Sequence, residues 1–436
     1  KKSPLSQKLW KRAKKVIPGG NSLLSKRPEM FLPNNWPTYF KDTSGCKVVD
    51  LDDNEYIDMS LMGVGTNILG YNDKEVDKVV KEAIDNGNLS TLNCPEEVYL
   101  AERLIDIHPW FEMARFARTG GEANAMAIRI ARAHSKKDNV AICGYHGWHD
   151  WYLSVNLNDK KGLDNHLLPG LSPNGVPQNL EGSTFSFIYN DIESLEKLIS
   201  QKNIGIVKME VSRTEEPNIE FLKEVRHLCN KNSIILIFDE CTSGFRGAFG
   251  GLHKNCEVYP DMAIFGKALG NGYPITAVLG TREIMQSAQS TFISSTFWTE
   301  RIGFAAALQT LNEMEKIESW NIISSKGDLI RKKWNQLAKK TDIKISTFGI
   351  QALPGITFIS KNNLAYKTLI SQEMLKRGFL ASNLIYCCIK HSDKIINDYF
   401  KNLEEVFILI NECENGRDIN TLLKGPICHS GFKRLN

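Results

Sequence analysis

"IILIFDE", residues 234–240, runs five apolar residues straight into two carboxylates. Apolar runs without alternation suit strands buried on both faces, and such strands belong to parallel sheets covered by helices. Neighbouring stretches repeat the pattern: "VAICGY" (140–145), "FSFIYN" (185–190), "IGIVKME" (204–210), "DMAIF" (261–265) and "TAVLG" (276–280). Between two of them, "IEFLKEVRHLCNK" (219–231) sets Leu222, Val225 and Cys229 on one helical face, so the local unit reads strand, helix, strand. The expected fold class is α/β, a large domain with a mostly parallel sheet covered by helices.

Working outward, "KVVDLDDNEYIDMS" (47–60) reads as a hairpin turning at "LDDNEY". After residue 310 longer amphipathic helices alternate with a few strands, such as "LPGITFIS" and "GFLASNLIYCC". We expect residues 1–75 and 311–436 to form one smaller α+β domain and residues 76–310 the large one, sizes that ordinary domains permit. At 436 residues with 42% hydrophobic and 24% charged content, the chain has enough apolar material for a large core and a second body. No internal repeat and no low-complexity linker interrupts it.

The net charge of +4 is concentrated in "KKSPLSQKLWKRAKK" at the start. Leu5, Leu9, Trp10 and Ala13 there fall at near-helical spacing, which favours a docked amphipathic helix over a nucleic-acid arm, and no aromatic and basic interleaving follows. Ten cysteines are scattered without a C-x-x-C pair, so neither a zinc site nor a disulfide framework is expected. No signal peptide and no apolar run near the roughly 18 residues of a membrane span is present; a cytoplasmic protein without membrane or metal is the expectation. A start at "KKSP" rather than at methionine reads as a trimmed chain.

In parallel sheets ligands bind beyond the carboxyl ends of the strands. Three runs end in ionisable groups: Glu210 closes "IVKME", Asp239 and Glu240 close "IILIFDE", and Lys267 follows "DMAIF". Taken singly, each would be a solvated rim. Three together, two of them followed by the glycine-containing turns "CTSGFRGAFGG" and "ALGNGYP", point to a site.

Thr119, Gly120 and Gly121 precede a helix with Ala123, Met126, Ala127 and Ile130 on one face. Free N–H groups at a helix start favour an anion, and glycines let the backbone approach it. An N-cap alone would explain the motif equally well. An amine, a phosphate cradle and a carboxylate on one rim meet the needs of pyridoxal 5′-phosphate: a lysine for the Schiff base, an acid for the ring nitrogen, and an anion site. Tyr145 in "GYHGWHD" is expected to stack on the ring, with His146, Trp148 and His149 lining the site, although a tyrosine and two histidines there would also suit core packing.

"TGGEANAMAIRIARA", "YHGWHD", "IFDECTSGFRGAFGG", "PDMAIFGKALGNGYP" and "STFWTERIGFAAAL" resemble, in this order, the class III pyridoxal-phosphate aminotransferases of fold type I, and most closely the glutamate-1-semialdehyde 2,1-aminomutase-like group. The likeness runs from about residue 16 to 310. It implies that Lys267 carries the Schiff base and moves the substrate proton, that Asp239 pairs with the ring nitrogen, and that Glu210 supports the hydrogen-bond network beside the ring. It further implies Thr119, Gly120 and Gly121 at the phosphate, Tyr145 and Cys241 on the two ring faces, and Thr296 reaching a neighbouring subunit's phosphate in a homodimer with shared active sites. Cys241 stands where the family usually has valine.

The resemblance leaves the substrates open. Ser25 occupies the place of the aminomutase's carboxylate-binding arginine, and Trp298, Glu300 and Arg301 change the pocket mouth. The expected reaction is transfer from an amino-acid donor, L-glutamate foremost, to a carbonyl acceptor, with a sugar or similar polyhydroxylated compound suggested by those polar residues. An intramolecular aminomutase or an amino-acid racemase is the alternative. A ligand-sensing transcription regulator would need a DNA-binding module, for which the basic start and the tail "KGPICHSGFKRLN" are too short.

Overall fold

The structure, a computed structural model, describes residues 2–435. Among them, thirteen strands follow in chain order: β1 (Phe40–Ser44), β2 (Lys47–Asp50), β3 (Glu55–Met59), β4 (Met113–Ala117), β5 (Asn139–Cys143), β6 (Thr184–Ser186), β7 (Ile204–Glu210), β8 (Ile235–Glu240), β9 (Met262–Phe265), β10 (Thr276–Gly280), β11 (Ile345–Phe348), β12 (Gly355–Phe358) and β13 (Phe379–Ala381). The chain divides into two compact units, one of Lys1–Asp73 with Ile322–Asn436 and the other of Lys74–Asn321.

The unit Lys74–Asn321 is built on a seven-stranded sheet in the order β4-β10-β9-β8-β7-β5-β6. The pairs β6/β5, β5/β7, β7/β8 and β8/β9 are parallel, while β10 runs antiparallel to both β9 and β4. Every residue of β7 and β8 is buried, as their unbroken apolar runs require. Helix Gly120–Ser135 lays Ala123, Met126, Ala127 and Ile130 into the core formed with Val140, Ile142, Ile206, Ile237 and Ile264. Helix Ile219–Lys231 starts at Asn218, whose side chain accepts the Phe221 N–H, and buries Leu222, Val225 and Cys229.

In the other unit β1, β2, β3 and β13 form a second sheet, and β11 pairs with β12. The predicted hairpin is β2/β3, antiparallel with Val48 opposite Tyr56. Helix Pro4–Val16 buries Ser6, Trp10 and Ala13 but leaves Leu5 exposed; Ser3 donates to Asp50 Oδ2 at 2.6 Å and the Leu5 N–H is held by Asp52, which turns Leu5 away from the buried face. Residues 62–65 all have positive φ, including the β-branched Val64 at 61°, a genuine backbone outlier in the stretch "LMGVGTNILG". Among the described residues no helix is long and apolar enough to cross a membrane.

Three buried histidines bind these folds to pH. The ring nitrogens of His108, His166 and His391 each accept a backbone N–H, from Gly251 (3.0 Å), Gly144 (3.0 Å) and Cys388 (3.1 Å), so a proton there would break a hydrogen bond. Burial is the main cause that lowers their pKa values, to about 3 for His108 and about 4 for the other two. Unfolding restores the ordinary value near 6.5, so the unfolded chain binds more protons and stability falls as pH drops below that value. We expect a loss of up to about 4 kcal/mol per pH unit between about pH 6 and pH 4.5. Urea midpoints at pH 7 and pH 5 measure it; equal midpoints would refute the assignment.

Candidate active site

The carboxyl ends of β7, β8 and β9 lie at one edge of the large sheet, with Glu210 directly paired to Asp239 in register. Glu210 and Asp239 are 5% and 3% exposed, which for two neighbouring carboxyls demands partners. Glu210 Oε2 accepts the Tyr145 N–H at 3.0 Å, and Arg213 lies 3.8 Å away. Burial, with the Asp239 charge adding to it and Arg213 opposing, raises the Glu210 pKa. Gly144 makes the approach possible: it has φ 116°, and a Cβ there would sit 2.5 Å from Glu210 Oε2.

Asp239 is tied at both oxygens. Oδ1 accepts the Cys241 N–H at 3.0 Å, and Oδ2 accepts from His146 Nδ1 at 2.9 Å and from Lys208 Nζ at 3.2 Å. Burial alone would raise this carboxyl, but the Lys208 ammonium and His146 outweigh it and hold the group well below the usual carboxylate range. His146 is neutral, its pKa brought to about 4 by burial and by Lys208, and its Nε2 is buried without a partner.

Lys267 follows β9 through Gly266 and takes φ 41°, a left-handed conformation that costs a lysine on the order of 1 kcal/mol. Burial first, then the Arg246 and Arg213 guanidiniums, lower its amine to about 8. Neutral amine at pH 7 thereby rises from roughly 1 in 3000 molecules to roughly 1 in 10. Gly266 keeps the turn tight, since a Cβ there would meet Thr276 Cγ2 at 3.0 Å and Cys241 Sγ at 3.4 Å.

The helix start expected to cradle an anion adjoins these groups. Thr119 caps helix Gly120–Ser135 in a reciprocal box with Glu122, and Thr276 Oγ1 donates to the Thr119 carbonyl at 3.2 Å. Gly120 and Gly121 are the first two helical residues, whose N–H groups have no partner within the helix. A Cβ on Gly120 would lie 3.7 Å from Cys241 Sγ, and one on Gly121 would strike the His149 ring at 2.9 Å.

Lys267, Asp239, Glu210, Thr119, Gly120, Gly121, Tyr145, His146 and Cys241 thus belong to one neighbourhood. Thr296 stands apart, exposed, its carbonyl accepting the Thr299 hydroxyl at 2.7 Å. Trp148 is 69% exposed. Glu300 and Arg301 are engaged internally, Glu300 with Arg118 at 2.9 Å and Arg301 with Glu96 at 2.8 Å. The sequence reading passed over Lys208 and Arg213. The signal for Lys208 was available: a lysine inside "IGIVKME" is a charge in a strand with no solvent-facing side.

The donor set fits pyridoxal phosphate: glycines clear a backbone cradle at a helix start, an ionised buried carboxylate awaits a ring nitrogen, and a lysine of lowered pKa shares the rim. Residues 33–383 match the family Aminotransferase class-III. The chain is 33% identical over 404 residues to the 3-aminobutyryl-CoA aminotransferase of Cloacimonas acidaminovorans, covering 89% of this chain and 93% of that protein. It is 30% identical over 437 residues to the glutamate-1-semialdehyde 2,1-aminomutase of Ignicoccus hospitalis, covering 93% and 99%. The fold is shared with the FumI protein of Sphingopyxis sp. MTA144, solved in its PLP internal aldimine form, at a TM-score of 0.84 and 22% identity over 96% of this chain and 99% of that one.

Proposed function

The chain belongs to the class III aminotransferases and is a pyridoxal-phosphate-dependent transaminase, and from that premise we propose that it moves the amino group of L-glutamate to a separate aldehyde or ketone. The observation that supports pyridoxal-phosphate chemistry is the placement of Lys267 after β9 on the same rim as Asp239, whose Oδ2 is held by His146 at 2.9 Å and Lys208 at 3.2 Å; the donor and the separate acceptor are read from the aminotransferase relative.

When bound, the cofactor supplies an aldehyde to take the amino group and a ring that withdraws the electron pair left at the substrate's α carbon. Lys267 would hold the cofactor through its amine and, once freed, would serve as the base that moves the proton at the substrate's α carbon. Asp239 would hold the proton on the ring nitrogen, and His146 fixes Asp239. Thr119, Gly120 and Gly121 would bind the phosphate, while Tyr145 and Cys241 would flank the ring. Glu210 orients Tyr145 through its backbone N–H.

A sugar acceptor was suggested by Glu300 and Arg301, whose charges are spent on Arg118 and Glu96, so they give it no support. A homodimer with shared sites is our further reading, supported by the exposure of Thr296 beside Phe292 and Phe297, which are 83% and 67% exposed. The aminomutase relative favours an intramolecular transfer as the second reading.

One titration separates the readings. Adding L-glutamate to the yellow holoenzyme should bleach the visible band to the pyridoxamine form and release one equivalent of 2-oxoglutarate. A band that stays in place, with no keto acid formed, would rule out glutamate as donor and turn the reading to another amino-acid donor or to the intramolecular reaction.

A further inference from the structure

β7 is a strand of buried residues in which Lys208 is fully enclosed, 0% exposed, two positions before Glu210. A lysine there forgoes its hydration, and a buried ion pair is a poor source of stability, since apolar residues of similar size commonly serve as well or better. Its Nζ meets Asp239 Oδ2 and His146 Nδ1, both at 3.2 Å. His146 Nδ1 already donates to Asp239, so Asp239 is the group the ammonium serves. An ionised carboxylate offers about four lone-pair sites. Cys241 N–H takes one of them at Oδ1, beside the Cys241 thiol, while His146 and Lys208 take two at Oδ2.

We propose that Lys208 is a positioning residue for the cofactor: its ammonium and the His146 N–H clamp Asp239 Oδ2, keeping that carboxylate ionised and aimed before the cofactor arrives. The proposal rests on the reading that Asp239 faces the ring nitrogen. Without Lys208, Asp239 keeps only neutral donors in a buried setting and shifts toward its protonated form. A protonated Asp239 has no charge with which to hold a pyridinium. Burial lowers the Lys208 amine and the Asp239 charge opposes it; around the pair lie Glu210 at the end of β7, Cys241 after β8, Tyr145 and Tyr152 beyond β5, His166 facing His146, and Lys267 and Arg213 facing Glu210.

The test measures affinity of the full chain, freed of cofactor, for 4′-deoxypyridoxine 5′-phosphate, which has no aldehyde and so binds independently of Lys267 chemistry. The ratio of variant to wild-type Kd removes the analogue's own titration. For Lys208→Met this ratio should rise about tenfold between pH 8 and pH 6, whereas Lys208→Arg should keep it flat. In an Asp239→Asn background, adding Lys208→Met should leave the ratio to Asp239→Asn flat. A pH-independent ratio for Lys208→Met, or the same profile with and without Asp239, would overturn the proposal. If Lys208→Met fails to fold, recovery of the wild-type far-UV spectrum and melting temperature in the double variant supports it, and equal failure of both overturns it. Asp239→Asn alone tests the underlying reading: unchanged analogue affinity would remove Asp239 from the ring nitrogen and leave the Lys208 ratio to be judged separately.

Discussion

Lys267→Ala should lower amino transfer by at least about 10⁴-fold, the upper range for loss of a single positioned acid–base group, while leaving the fold in place. The amine does two things no neighbour can replace. In the proposed mechanism it would be the nucleophile that joins the cofactor to the chain and the base at the α carbon. Arg246 and Arg213 help lower its pKa but are guanidiniums, which stay protonated at any working pH. Lys208 is the other amine near the site, and its Nζ is committed to Asp239. Alanine should fit the backbone at position 267 as well as lysine does, because the left-handed φ of 41° burdens both equally. Two measurements check the prediction: steady-state turnover, and borohydride reduction followed by mass spectrometry, which should fix cofactor to the wild-type chain and none to the variant. Native-like turnover in Lys267→Ala would end the mechanism proposed here.

Much of this site was legible because buried parallel strands announce themselves. "IILIFDE" and "IGIVKME" have no polar alternation, and they became the central, fully buried strands β8 and β7. Direction is harder to read. "TAVLG" looks the same whichever way it runs, and its antiparallel placement between β9 and β4 depends on partners far away in the chain. "MARFA" escaped notice as a strand because Arg115 interrupts its apolar character; that side chain reaches the Ile293 carbonyl at 2.7 Å. "FSFIYN" was over-read, since pairing stops at Ser186 and the Tyr189 hydroxyl turns to the Val211 carbonyl at 2.6 Å.

The chemistry shows the same division. Strand-end residues are placed by the sheet, so Glu210, Asp239 and Lys267 could be grouped from spacing alone. Lys208 lies within a strand, and whether such a charge is paired depends on which strand lies alongside. Here β8 brings Asp239 across from Glu210, and His146 arrives from the turn after β5. No local pattern in the sequence states that meeting. Glu300 and Arg301 show the reverse error: polar residues near a site look available until Arg118 and Glu96 are found to occupy them.

Asp239→Asn should cost about 10³-fold in turnover, the effect of removing about 4 kcal/mol of charge stabilisation, yet should leave borohydride attachment intact. The amide keeps the shape and an oxygen for the Cys241 N–H but loses the charge that, on the proposed reading, would hold a proton on the ring nitrogen. Attachment through Lys267 needs only the aldehyde and a neutral amine, whereas withdrawal of electrons from the α carbon needs the protonated ring. The two variants therefore fail at different steps, Lys267→Ala before attachment and Asp239→Asn after it. The folded chain should register the change as well, since Asp239→Asn leaves Lys208 buried without its counter-charge, a loss of about 3 to 5 kcal/mol when one member of such a pair is removed. Wild-type Asp239 is held below the ordinary value near 3.9, so its contribution is complete above that pH and is lost only as pH falls toward its lowered value. At pH 7 the variant's melting temperature should therefore lie well below that of the wild type, with the gap narrowing in strong acid. An unchanged turnover number with an unchanged melting temperature would mean that Asp239 neither faces the ring nitrogen nor neutralises Lys208.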